Sequence, residues 1–285
     1  MKTKMTGKTR ESLTGLAYVS LWIAGFALLT LYPMIETFML SLNNVAIQTT
    51  GIKKVFVGLG NYREALLSDT EFVPNLITYL TEIVIYVPVI LVFSLLIALL
   101  LDVKMKGRGI FRTIFFLPVI IMSGPVMKQL MVQGSVALPG IERLIDLQAL
   151  TETLPQYLAN AIVFLVSNFV MILWFCGIQI LIFLAVLQKM DRAMYEAANI
   201  DGASAWEVFW KLTLPALNPT IVVVVIFTVV TQSHFALSPV INQINNSLFK
   251  PGFGYGIASA MAWVYFIVMI LVLALFTAVV SKREK

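Results

Sequence analysis

Few side chains in this sequence could do chemistry, and most of them stand inside long apolar stretches. Among the polar residues embedded there, Glu82, Asn168, Gln179 and the run Thr231-Gln232-Ser233-His234 are the candidates, and the aromatics that could stack on a sugar face include Trp174, Phe175, Trp263 and Tyr265. A polar group in such a stretch is costly and is a functional candidate by default; the competing reading is a hydrogen bond between helices. Amides and hydroxyls can meet the hydroxyls of a sugar ring while aromatic faces cover its C–H surface, so the mixture suits a neutral carbohydrate. All of these are substrate-pathway candidates on chemistry alone, with Trp174, Gln179, Gln232, Ser233 and His234 among them. No catalytic set is present, because a single histidine with Glu82 supplies neither a nucleophile–base pair nor two matched carboxylates. With one histidine a metal site there has no second imidazole, and Cys176, the one cysteine, reads as a small core residue. A disulfide framework and a multi-cysteine metal site are both excluded.

The elements that must position these groups follow from composition. Hydrophobic residues make up 59% of the 285 positions and charged residues 12%, with a mean hydropathy of +0.90. Soluble domains hold roughly 45–50% apolar and about 25% charged residues, so this much apolar surface needs lipid. The apolar residues fall into blocks near the roughly 20 residues a helix needs to cross the hydrocarbon. Six spans are predicted, Leu13–Ser41, Asn75–Leu101, Thr113–Val132, Tyr157–Leu187, Pro219–Pro239 and Ile257–Val280. Pro118, Gly124 and Pro125 interrupt the third, which membrane helices tolerate where neighbours satisfy the freed backbone groups. The first block follows Lys2, Lys4, Lys8 and Arg10 but is too long for a signal-peptide core and lacks a small-residue cleavage site, so a retained anchor is expected.

With six spans, the side holding both termini and the second and fourth loops carries 14 of the 20 basic residues. Basic residues collect on the cytoplasmic side, so both termini are expected there, in a multi-pass protein of the bacterial cell membrane. The pI of about 9.3 reflects that bias and carries no argument for nucleic acid. On the outer side, Phe56-Val-Gly-Leu-Gly-Asn-Tyr62 predicts a tight turn before a short helix, Tyr62–Leu67, and Gly252-Phe-Gly-Tyr-Gly256 a second turn. Either is an ordinary connection or a ligand contact. Inside, Asp102–Arg112 is a short basic loop at the headgroups.

The inside loop 188–218 differs in kind. Asp191 can cap a helix starting at Arg192, and Gly202 supplies a stop that permits a left-handed backbone. Ser204-Ala-Trp-Glu207 reads as a capping box for a second helix with Trp206, Phe209 and Trp210 on one face. Pro215 is expected to stop that helix, with the aromatics tying it to the spans and Pro219 opening the fifth.

These residues resemble a family signature. Glu196-Ala-Ala198, three residues, Gly202, nine residues and Leu212-Thr-Leu-Pro215 match the E-A-A-x-x-x-G-x9-I-x-L-P loop of permease subunits in binding-protein-dependent ATP-binding-cassette importers. Leu212 stands where isoleucine is usual, and Asp191 where proline is common. Phe56–Tyr62 and Gly107-Arg-Gly-Ile-Phe-Arg-Thr-Ile-Phe-Phe-Leu-Pro118 resemble the carbohydrate-uptake branch, specifically the first of the paired permeases of maltose-type systems. Ser238–Asn246 departs from the Gly-Gly-Pro turn that many members carry after the fifth span. The resemblance implies an all-α type I importer permease fold, a single permease domain over 1–285 and a coupling-helix loop over 188–218. It implies that Tyr195, Glu196, Ala197, Ala198, Asp201 and Gly202 dock on an ATPase subunit. Gln232–His234 and Trp174 lie where maltose-type permeases contact sugar. The implied partners are a homologous second permease, two ATPase subunits that hold ATP and magnesium, an extracellular solute-binding protein and lipid. The chain itself is then a transport subunit without a cofactor.

Gly7-Lys-Thr9 lacks the upstream glycine of a phosphate loop, which places ATP hydrolysis on another polypeptide. A phosphorylated polyol is an alternative cargo, but the spans hold no basic residue besides Lys128 near an outer end, which favours a neutral solute. An intramembrane enzyme or a passive channel are the alternatives of other classes.

Overall fold

A long apolar run can keep its backbone polar groups from lipid by pairing them inside a helix. The computed structural model describes residues 7–48, 51–103, 109–110, 113–115, 117, 129, 155–235, 238–249 and 254–281. Helix α1 (Gly7–Phe26) runs through a π-helical segment, Ala27–Leu31, into α2 (Tyr32–Ser41). Strands β1 (Asn43–Gln48) and β2 (Gly51–Phe56) follow, then α3 (Gly60–Arg63) with a π-helical turn Glu64–Ser68, and α4 (Phe72–Asp102). Next come α5 (Gln156–Ser167), α6 (Phe169–Leu187), α7 (Arg192–Ile200) and α8 (Ala205–Val208). A π-helical segment Phe209–Thr213 leads into α9 (Leu214–Ser233), followed by α10 (Pro239–Phe249) and α11 (Gly254–Ser281).

Among the described residues, four stretches are long and apolar enough to cross a membrane: Gly15–Ser41, Phe72–Asp102, Ala205–Ser233 and Gly254–Ser281. A fifth is obtained if Met171–Leu187 and Arg192–Ile200, bent by 69° at their junction, are taken together. The predicted third span, Thr113–Val132, lies largely outside the described residues. The predicted fourth is broken at Asn168, whose backbone leaves helical geometry between α5 and α6.

Two π-helical segments have a common local cause. Ala27–Leu31 ends two residues before Pro33, and Phe209–Thr213 ends two residues before Pro215. A proline has no N–H for the carbonyl four residues back and crowds that carbonyl, so the preceding turn widens. Pro215 therefore does not stop a helix, contrary to the sequence expectation. It is the second residue of α9, directly after the widened turn, and α9 starts at Leu214 instead of Pro219. The other end of α9 differs as well, because it stops at Ser233 and residues 239–249 form a helix in place of a plain loop.

The chain packs as two compact units, 1–76 with 242–267 and 77–241 with 268–285. In the first, β1 and β2 pair antiparallel with Asn43 opposite Phe56 and Gln48 opposite Gly51, an element that the all-helical expectation lacked. The hairpin is closed from the side by Asn61. Its buried amide donates to the carbonyls of Ser41 at 2.8 Å and Asn43 at 2.9 Å. Tyr62 bonds Ser41 through their hydroxyls at 2.7 Å. Gly256, in the first turn of α11, lies against the same place: a Cβ there would collide with the Asn43 carbonyl oxygen and meet Asn61 Nδ2 at 2.9 Å. Gly256 of the second glycine-rich motif thus packs against Asn61 of the first. Asp69 caps α4, accepting from the amides of Glu71 at 2.9 Å and Phe72 at 2.7 Å, and Gln243 Nε2 reaches the same carboxylate at 3.4 Å.

In the second unit α4, α6 and α9 share a core of Ile90, Ala98, Ile172, Phe175, Cys176, Ile180, Phe183, Leu217 and Val224. Cys176 is buried there, its thiol 3.8 Å from the Ile90 carbonyl, as a small core residue would be.

Replacing Gly256 by alanine is expected to lower stability by about 1–3 kcal/mol, since overpacking against backbone cannot be relieved by a rotamer change. Asn61→Leu should cost about as much by leaving two carbonyls without donors. Thermal unfolding in detergent, with tryptophan fluorescence as readout, measures both.

Candidate functional site

The signature loop is built by caps. Asp191 Oδ1 accepts from the Ala193 amide at 2.9 Å and starts α7. At the other end the Ala203 amide donates to the Ala198 carbonyl at 3.0 Å and the Gly202 amide to the Asn199 carbonyl at 3.2 Å. That pair of bonds, with Gly202 at φ +78°, is a Schellman termination, which requires a left-handed residue at this position. Space is not the reason for the glycine, because no atom lies within 4 Å of where its Cβ would be.

Ser204 then caps α8 in the reciprocal way its spacing predicts. Its hydroxyl accepts from the Glu207 amide at 3.3 Å, and its own amide donates to Glu207 Oε2 at 3.0 Å. Lys211 Nζ reaches Glu207 Oε1 at 3.0 Å, one turn on. The loop is a pair of short helices with their ends satisfied, joined by a tight turn.

Helix α7 has two faces. Met194, Tyr195 and Ala198 are half-buried, whereas Glu196, Ala197, Asn199, Ile200, Asp201 and Gly202 at its end are exposed. Tyr195 shares the inner face with Ala198, and its hydroxyl lies 3.0 Å from Met190 Sδ and 3.1 Å from Thr213 Oγ1. Ile200, given no role by the sequence, is 86% exposed. A large apolar side chain left open beside Asp201 and Gly202 was legible as a departure from the apolar-inside pattern. A shallow concavity of about 370 Å³ runs along the pair, lined by Ala198, Asp201, Gly202, Glu207 and Lys211 among others.

The aromatics of the second helix correct the sequence expectation. Trp206 is 70% and Trp210 48% exposed, so they do not tie the helix to the spans. They pack on each other, edge to face at 5.4 Å, with Phe209 against Trp210 at 5.2 Å. The Val208 carbonyl at the end of α8 lies 3.4 Å from the Thr213 hydroxyl.

The polar residues of the apolar stretches divide into bonded and unbonded groups. Ser233 is buried and its hydroxyl pairs with Tyr79 at 2.6 Å and with the Val229 carbonyl at 2.7 Å. Asn168 Oδ1 accepts from Tyr86 at 2.8 Å. Gln179 Nε2 donates to Thr228 Oγ1 at 3.1 Å. The Tyr79, Tyr86 and Thr228 bonds join separate segments of the chain. Yet Gln179 Oε1, Gln232 Nε2, Trp174 Nε1 and Ser238 Oγ are buried without a hydrogen-bond partner. His234 ends α9, exposed, with Nδ1 2.9 Å from the Val230 carbonyl. Trp263 belongs to the other unit, where it packs edge to face on Phe38 at 5.2 Å. Glu82 is half-buried on α4.

Three predicted substrate-pathway residues, Trp174, Gln179 and Gln232, thus keep a free donor or acceptor, whereas Ser233 is spent on a helix–helix bond and His234 lies at the end of its helix. Ser238 was missed. Its signal was its place just before Pro239, where a chain leaving one helix and entering another strands polar groups. The set is uncharged and mixes donors with acceptors, which is the chemistry of binding hydroxyls. Among the described residues no group of three or more His, Cys, Asp or Glu could hold a metal ion.

Comparison with known proteins agrees with the loop. Residues 65–283 match the model of the binding-protein-dependent transport system inner membrane component. The chain is 31% identical to the probable ABC transporter permease protein YesP of Bacillus subtilis, over 96% of this chain and 91% of that one. It is 30% identical to the lactose transport system permease protein LacF of Rhizobium radiobacter, over 79% and 73%. Among solved structures, a chain of a bacterial alginate ABC transporter in complex with an alginate pentasaccharide-bound periplasmic protein superposes with a TM-score of 0.66 at 20% identity, covering 97% of this chain and 96% of that one. That likeness is one of fold. With the signature loop folded as a capped helix pair and the family model spanning most of its length, the chain belongs to the binding-protein-dependent transport system inner membrane components and is a multi-pass membrane protein.

Proposed function

We propose that this chain is one half of the pore of an ATP-driven importer, taking a sugar or oligosaccharide from a solute-binding protein into the cytoplasm by alternating access. The observation that carries the reading is the exposed outer face Glu196–Gly202 on a helix whose two ends are both capped, in a chain of this family. A helix pair with its ends satisfied can pass on a rigid-body displacement, where a disordered loop would absorb it as entropy. ATPase subunits that hold ATP and magnesium would dock on Glu196, Ala197, Ile200, Asp201 and Gly202, with Ala198 at the edge. A homologous second permease would complete the pore, and both termini would lie in the cytoplasm.

The sugar assignment rests on the unpaired atoms of Trp174, Gln179 and Gln232 and on their lack of charge. Relatives named for lactose and for arabino-oligosaccharides point the same way. A phosphorylated cargo would call for a cation where these neutral groups stand.

Glu196→Lys is expected to abolish ATP-driven uptake while the chain stays inserted, and normal transport would defeat the docking assignment. Gly202→Ala should weaken the cap by about 1–2 kcal/mol, the cost of a left-handed side-chain residue, seen as faster amide exchange in the last turn of α7. Gln179→Leu with Gln232→Leu should cut uptake of labelled oligosaccharides roughly tenfold, from two lost hydrogen bonds, at unchanged membrane abundance. Uptake of glycerol 3-phosphate and no sugar by the wild type would overturn the cargo. A green fluorescent protein fused after Lys285 should fluoresce if that end is cytoplasmic.

A further inference from the structure

We infer that Tyr195 is not an ATPase contact but a latch that makes α7 and α9 move as one body. This rests on the proposed importer function, because it concerns how a push on α7 reaches the pore. Helix α7 leaves the end of α6 at a 69° bend and, beyond the covalent connection, needs a second attachment to behave rigidly.

The Tyr195 hydroxyl is that attachment. It stands between Met190 Sδ, before α7, and Thr213 Oγ1, at the head of α9, at 3.0 and 3.1 Å. Thr213 is 5% exposed, and its hydroxyl lies 3.4 Å from the Val208 carbonyl. Two protons serve these contacts. The shorter distances are served when Tyr195 donates to the sulfur and Thr213 donates to the phenol oxygen. The bond therefore spans 18 residues of sequence and closes the helix pair into a ring.

Its position matters because Thr213 ends the π-helical segment that Pro215 imposes. A wide turn with a proline beyond it is the natural place for a helix to bend. Left alone, Phe209–Thr213 would act as a hinge, and displacement of α7 would be lost there. Tied to Tyr195, the joint is braced, and α9, which carries Thr228, Gln232 and Ser233, follows α7. The same fact explains why Tyr195 faces inward while its neighbours Glu196 and Ala197 face out.

The test measures the α7–α9 distance in the membrane-embedded chain, purified with whatever subunits accompany it. Nitroxide labels at Arg192→Cys and Val223→Cys, in a Cys176→Ser background, are read by pulsed electron resonance with and without ATP and vanadate. The latch predicts one narrow distance, unchanged by nucleotide. Tyr195→Phe and Thr213→Val should each broaden it, the unlatched population rising roughly two- to tenfold for one lost bond. The double variant should match the singles, and the amount of co-purified ATPase should not change. A distribution as narrow as wild type in both variants would overturn the latch. So would loss of the ATPase from Tyr195→Phe, which would make Tyr195 a contact. If no ATPase accompanies even the wild type, the importer reading fails, while the label distances still decide the latch.

Discussion

Hydrocarbon offers no partner to a peptide N–H or carbonyl, so a chain that crosses it must bond its backbone to itself. Nearly every described feature answers that demand, including those that look irregular. Pro33 and Pro215 each remove a donor from a long helix, and each is preceded by a π-helical segment that reroutes the ladder without ending it. The hairpin between α2 and α3 pairs its own strands, and Asn61 closes the carbonyls of Ser41 and Asn43 left at its root. The joint at the head of α9 is thus a consequence of how a proline is accommodated, and it lies where the surface helix pair meets the span.

Side-chain polarity is subject to the same demand and answers it incompletely. Tyr79 with Ser233, Tyr86 with Asn168 and Gln179 with Thr228 consume their polar groups in bonds that hold helices together. Four buried atoms on Trp174, Gln179, Gln232 and Ser238 do not. Each such atom costs a fold about 1–3 kcal/mol, and buried unsatisfied groups are scarce for that reason. A hydroxylated solute is the kind of partner that the proposed function would bring to them.

The helix pair of the signature loop separates two jobs by face. Its caps use only local groups, Asp191, Gly202, Ser204 and Glu207, which leaves the outer face of α7 free of internal partners. Its inner face spends Tyr195 on Thr213. A segment that is complete in its own hydrogen bonds and still presents Ile200 and Glu196 outward is shaped to bind without refolding, which spares the entropy of ordering a loop on contact.

Much of this was legible in the sequence wherever the governing physics is local. Composition and block length required membrane helices, and the i to i+3 spacing of Ser204 and Glu207 required the capping box. Gly202 marked the end of α7 because only a left-handed residue fits there. Tertiary structure decided the rest. The Tyr79–Ser233 bond joins residues 154 apart and Tyr86–Asn168 joins residues 82 apart, and no local rule says which helix faces will meet. The same holds for Gly256, whose missing Cβ matters only once Asn43 and Asn61 lie against it. Trp206 and Trp210 carried a helical apolar stripe, and a stripe states that a face is apolar without stating what covers it. Caps and the long apolar helices are readable from sequence because hydrogen bonds within a helix or cap reach four or five residues, whereas the hairpin and the helix at 239–249 carried no such local signature. Which polar atoms are spent and which stay free depends on packing between elements, and that only the folded chain shows.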